Sequence, residues 1–386
     1  MTYRLKTILM VLLFLLPSCI MPEDPAKERE ERAKQARGDI LVGAVGPWSA
    51  IDNMLWEGIA MAVDEINHSG GLLGRKIRVL KRDDESTVKK GILIAQEFGE
   101  NPDLVAVVGH YESFITMPAS VVYQYCGLLM LSTVDTNPGL TRQGFPLVFR
   151  TVPNDIEYGK KLADFCRQKG FNQLLVMLQR SEYGRDFSDA FATVAQSAAL
   201  HILDGASYDR MTSAKELQGI LKLWKERYSF DAILLSGELP RSAAIIREAR
   251  LMGIKQPIIG GIAMDQKRIL TLVGKETKDV FLPTNFYPHS KSTEVLEFVK
   301  NFQKRYGRMP DGMAAQGYDT IQALAYAIKK AGSTVPSEMA KALRSADNLR
   351  GATGNMWFSK DGDRVMDKIF IKMVEDGQFN YLNPGS

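Results

Sequence analysis

What most limits this chain is a repeated alternation of short, continuously apolar runs with longer amphipathic ones. From Asp39 onward, ILVGAVG (40–46), KIRVL (76–80), LVAVVG (104–109) and LLML (128–131) read as strands. Apolar character without interruption belongs to strands covered on both faces, as in a parallel sheet flanked by helices. Between them, LWEGIAMAVDEIN sets Leu55, Ile59, Val63 and Ile66 at helical spacing, and Gly70-Gly71 close that helix. After Pro153 the alternation resumes: helix near 156–168, strand LLVML, helix near 185–198, strand near 200–203, helix near 213–227, strand AILLS, helix 241–252 and strand PIIGG. Helices near 292–305, 314–330 and 336–345, with strand-like GNMWFS and KIFIKMV, complete the pattern. The expectation is an α/β protein of two doubly wound units, and 386 residues suit two lobes better than one core.

The amino-terminal segment is of another kind. Arg4 and Lys6 precede an apolar run from Ile8 to Leu16. A bilayer-spanning helix needs roughly 20 apolar residues, so this shorter run reads as the core of a secretory signal. Residues 1–18 are expected to be a lipoprotein signal peptide, because Leu16-Pro17-Ser18-Cys19 resembles the tetrad after which Cys19 becomes lipidated. Residues 19–38 mix five acids with five bases over PEDPAKEREERAKQARG and read as a solvated, charged tether. Loss of residues 1–18 removes Arg4 and Lys6 and no acid, so the formal charge falls from +4 to 4 − 2 = +2. A nearly neutral chain with scattered bases has no field for nucleic acid. Of the cysteines, Cys126 and Cys166 would remain, read as buried free thiols although export permits a bridge.

A doubly wound sheet binds ligands beyond the carboxyl ends of its strands, where loops feed helix amino termini. GPWSAIDN, GHYESFIT and STVDTNP all fall at that edge of the first unit, so one cleft is expected there. The chemistry it offers is limited. No G-x-G-x-x-G follows a strand, no P-loop, H-E-x-x-H or G-x-S-x-G occurs, and His68, His110, His201 and His289 have no metal spacing. No cofactor and no metal are expected, and an exported hydrolase lacks its nucleophile motif. Asp83-Asp84 is a metal pair or, as neighbours pointing to opposite faces of a strand end, a pair of loop hydrogen-bonders.

The runs ILVGAVGPWSA, EGIAMAVDEINHSGGLLGRKIRVLKRDDES, VAVVGHYESFITMPAS and GLLMLSTVDTNPGLTRQGFPLVFRT resemble type I periplasmic binding proteins, with the Leu/Ile/Val-binding receptors of ABC transporters as the nearest subgroup. SEYGRDF extends the resemblance across essentially everything after residue 38. It implies two Rossmann-like lobes joined by a three-crossover hinge, with crossings near 150–155, 282–286 and 351–356. Lobe 1 would be 39–152 plus 285–352, and lobe 2 would be 153–284 plus 353–386. By the same resemblance the ligand carboxylate falls to Ser113 and Thr136, the α-amino group to the carbonyl of Val134, and the expected second-lobe acid to position 262, which is Ile262 here. Asp135, Glu238 or Asp265 would have to compensate. Tyr183 would pack over the ligand, and Trp48, on the first loop, would be an aromatic wall. The alternative for Ser113 and Thr116 is helix capping, with Pro118 in the first turn.

The implied function is that of an extracytoplasmic, membrane-anchored lipoprotein and a monomer. It captures a small carboxylate-bearing solute, whether amino acid, amide or related acid, and delivers it to an ABC permease and ATPase complex. A sensor subunit presenting the solute to a membrane signalling receptor stays open as the alternative.

Overall fold

In the computed structural model of the chain, residues 24–50, 53–274, 277–347, 349–366 and 368–382 are described. The expected signal peptide, 1–18, and Cys19 lie outside them. Among the described residues no helix is long and apolar enough to cross a membrane.

The first sheet has five parallel strands in the order β2-β1-β3-β4-β5: β1 (Ile40–Gly46), β2 (Ile77–Asp83), β3 (Leu104–Val108), β4 (Leu129–Ser132) and β5 (Val148–Arg150). Every residue of β3 and β4 is buried, as their continuous apolar sequence requires of strands with helices on both faces. The second sheet repeats this order as β7-β6-β8-β9-β10, from β6 (Gln173–Gln179), β7 (His201–Tyr208), β8 (Ala232–Ser236), β9 (Ile258–Gly260) and β10 (Val280–Thr284). Two identical orders of the 2-1-3-4-5 type make two doubly wound lobes, each with a switch point beside its first strand.

β10 lies where only a hinge crossing was expected. Pro283 argues against a central strand, because it cannot donate to the ladder. It is tolerated because β9 pairs only with Val280 and Phe281, leaving Pro283 opposite Ile371 alone.

A small sheet of β11 (Leu349–Gly351), β12 (Gly354–Phe358) and β13 (Arg364–Val365) precedes β14 (Phe370–Glu375) and β15 (Gln378–Leu382), which extend the second sheet antiparallel to β10. Residues 353–365, expected in lobe 2, pack on lobe 1. Met356 and Phe358 share the core of β1 and β3, and Phe358 meets Phe149 edge-on at 5.6 Å. The chain therefore enters lobe 2 for the last time between β13 and β14, later than the expected 351–356.

Helix Gly312–Ala331 carries the returning chain through lobe 1 against helix Leu55–His68. Their backbones nearly touch at Gly58 and Gly317, where a Cβ would run into the carbonyls of Ala314 and Leu55. The charged segment before β1 also departs from a solvated tether. Pro25–Gln35 is a helix, and Arg29 is fully buried, donating to the carbonyls of Phe98 (3.4 Å), Gly99 (2.6 Å) and Asn101 (3.0 Å). These end helix Val88–Glu100, whose last carbonyls lack helical partners and attract positive charge.

Candidate functional site

The site is built from the loop after β3. Gly109 has φ +127°, and a Cβ there would collide with the carbonyl of Val45, so only glycine lets this loop pass β1 so closely. His110 is buried beneath it, its Nδ1 2.7 Å from Asp84 Oδ2 and its Nε2 3.0 Å from the Tyr123 hydroxyl. Asp83 accepts from the amides of Ser49 and Glu85. The Asp83–Asp84 pair is thus occupied by loop hydrogen bonds, and no group of metal-ligating side chains occurs among the described residues.

The loop delivers Glu112 and Ser113 to the start of helix Ser113–Tyr125. Ser113 Oγ donates to Asp135 Oδ1 at 2.7 Å, and the Asn137 amide donates to the same oxygen at 2.8 Å. Thr116 Oγ1 donates to the Glu112 carbonyl at 2.9 Å; it lies close enough to favour the ionised Asp135 carboxyl, but its hydroxyl hydrogen is directed elsewhere and Asp135 Oδ2 is buried. Burial pushes the Asp135 carboxyl up, against the nearby Arg150 charge and the Ser113 hydrogen bond. Glu112 Oε1 accepts from Ser86 Oγ at 2.6 Å, while Oε2 is buried and unpartnered. Burial, with Asp84 and Glu238 nearby, raises Glu112 to about 7.

The second lobe faces this loop. Tyr183 stacks on Phe187 at 5.7 Å and its hydroxyl accepts from the Ala263 amide at 3.3 Å. Glu238 follows β8, receives the Gln179 amide at 3.2 Å, and is raised by burial. Across the lobes, the Asn137 side-chain amide donates to Asp186 at 2.6 Å.

Between these walls lies a narrow cavity of about 80 Å3, set in a cleft that is partly open to solvent. It brings together Ser113, Val134, Asp135, Thr136, Tyr183, Glu238 and Ile262. Trp48 is not in its lining. Its indole donates to the Arg82 carbonyl at 2.8 Å, packs edge-on to Trp56 at 5.6 Å, and lies under Lys81. Trp48 is a packing residue of the first loop, because neighbouring strand β2 supplies the burial that its polar loop lacks. Asp265, the other candidate acid, forms a buried ion pair with Lys372 outside this cavity.

The sequence reading passed over Glu112, Tyr158 and Gln316, which also line the cavity. Glu112 stood inside GHYESFIT, and an acid immediately ahead of a helix was the available signal. Gln316 had none, since it reaches the site from a helix that returns to lobe 1 only after the five parallel strands of lobe 2.

A family model described as periplasmic binding protein matches residues 40–378. The chain is 27% identical over 356 residues to Leu/Ile/Val-binding protein homolog 1 of Brucella abortus, covering 90% of this chain and 94% of that one. It is 26% identical over 330 residues to the leucine-, isoleucine-, valine-, threonine-, and alanine-binding protein of Pseudomonas aeruginosa, covering 84% and 86%. Among solved structures, an ABC transporter substrate-binding protein from Desulfitobacterium hafniense in complex with Leu superposes with TM-score 0.81 at 32% identity, over 89% of this chain and 100% of that one.

Proposed function

Since this chain belongs to the periplasmic binding protein family, we propose that it is the solute receptor of an ABC transporter, taking up a small solute of the amino-acid class between its lobes. The observation that carries this reading is that one cavity is walled by the loops after β3 and β4 of the first sheet and after β6, β8 and β9 of the second. A ligand there touches both lobes, so it favours their closed arrangement by its differential affinity for that state. The leucine complex of the relative from Desulfitobacterium hafniense supports an amino acid, its amide or a related acid as the class.

In this reading the chain is exported and held at the membrane through a lipid on Cys19, and it hands the closed, loaded form to the permease as a monomer. Ser113, Asp135, Thr136 and the Val134 carbonyl form the first-lobe wall of the site, and Tyr183, Glu238 and Ile262 form the second. Small-angle scattering of the purified protein with and without a bound amino-acid-class solute tests it: the radius of gyration falls on binding. Equal compactness with saturating ligand would refute lobe closure. Mass spectrometry of the membrane fraction tests the anchor, with Cys19→Ala expected to release the protein.

A further inference from the structure

Resting on that receptor reading, we propose that the ligand meets Ser113 and Asp135 with a cationic or amide nitrogen, as an amine or an amide whose carboxyl group is not free. The resemblance assigns the Ser113 corner to a ligand carboxylate, but the chain already supplies a carboxylate there. Asp135 Oδ1 takes the hydroxyl hydrogen of Ser113 at 2.7 Å and the amide hydrogen of Asn137 at 2.8 Å. While those bonds stand, the serine presents only acceptor lone pairs to the cavity.

Among the side chains of this wall, what remains unpaired accepts hydrogen bonds. Asp135 Oδ2 and Glu112 Oε2 are buried without a donor, and Asp135 is only 1% exposed. A buried acceptor left unsatisfied is costly, and an ionised one more so, so a ligand that brings N–H groups recovers that cost. The charges agree. Glu112, Asp135, Glu182 and Glu238 line the cavity, and among the described residues no lysine or arginine does.

Of the cations near these carboxylates, Arg150 is engaged elsewhere. Arg150 pairs with Asp363 at 2.5 Å and donates to the carbonyls of Asp135 and Asn137. Arg268, whose only hydrogen bond among the described residues is a 3.4 Å donation to the carbonyl of Leu239, and Arg210 act on Glu238 through their charge, and neither lines the cavity. A ligand carboxylate entering this wall would be desolvated beside like charges, whereas an ammonium would be paired.

The experiment is calorimetric titration of the full chain in detergent, stripped by denaturant and refolded, with probes that share one side chain: isocaproate, leucine, leucinamide and isopentylamine. Native mass spectrometry of the unstripped protein accompanies it. Leucinamide or the amine binding about tenfold or more tighter than leucine, with isocaproate silent, is the expected result. Asp135→Asn then weakens the cationic probe by about thirtyfold and narrows its lead over leucine.

Leucine or isocaproate binding tighter than leucinamide, or a carboxylate retained from the cell, would overturn the cation assignment and leave the receptor reading intact. Silence of all the probes overturns the assignment. If native spectra also show no retained solute, the receptor reading falls with it.

Discussion

Glu112 should make the protein less stable as pH rises, and removing its charge should reverse the effect. It precedes helix Ser113–Tyr125, where the helix dipole favours a negative charge, yet burial outweighs that advantage and lifts its carboxyl from 4.5 to about 7. The folded value lies above the unfolded one, so the folded state holds the extra proton between these values. The contribution of Glu112 to stability is therefore fullest below about pH 4.5, falls as pH rises through the window, and levels off above about pH 7.

At 1.36 kcal/mol per pKa unit the full difference is about 3 kcal/mol. The cavity is partly open to water, so about 2 kcal/mol is the working figure. Glu112→Gln removes the charge and keeps an acceptor for Ser86 Oγ, now 2.6 Å away. Urea unfolding of ligand-free protein should find the variant more stable by about 2 kcal/mol at about pH 8, with the gap closing near pH 5. A gap that does not change with pH, or a variant less stable at the alkaline end, would refute the argument.

Amine binding by the proposed site should strengthen roughly tenfold between about pH 6 and pH 8, because a cation prefers ionised Glu112; calorimetry in buffers of different ionisation enthalpy should detect the released proton. Arg29→Ala should cost about 2 kcal/mol by stripping the buried carbonyls of Phe98, Gly99 and Asn101 of their donor, and limited proteolysis should then cut within residues 25–38. Gly58→Leu should destabilise lobe 1 by about 3 kcal/mol or more, since the carbonyl of Ala314 occupies the space of its Cβ; thermal unfolding checks it. Trp48→Phe should lower stability through the lost bond to the Arg82 carbonyl while leaving ligand affinity within about twofold, whereas Tyr183→Ala should weaken binding.

The architecture was legible because parallel strands covered on both faces must be continuously apolar, and β1, β3, β4 and β8 are. The ligand edge followed from topology, since loops at the carboxyl ends of doubly wound strands have few other places to converge. Features decided by distant partners did not show. Trp48 looked like a cavity wall because a tryptophan on a polar loop needs burial, and only the fold reveals that Trp56 and Lys81 provide it. The segment 25–35 looked solvated because its composition is charged, yet a charged head group can be buried when carbonyls surround it, as around Arg29.

The same limit governs the ligand. Resemblance locates Ser113, but a hydroxyl is donor or acceptor according to its neighbour, and that neighbour is Asp135, 22 residues further along the chain. With a side chain at 135 that has no acceptor, such as alanine, the serine would be free to donate to a carboxylate. With aspartate there, the same serine in the same fold has spent its hydrogen, and the site asks its ligand for one.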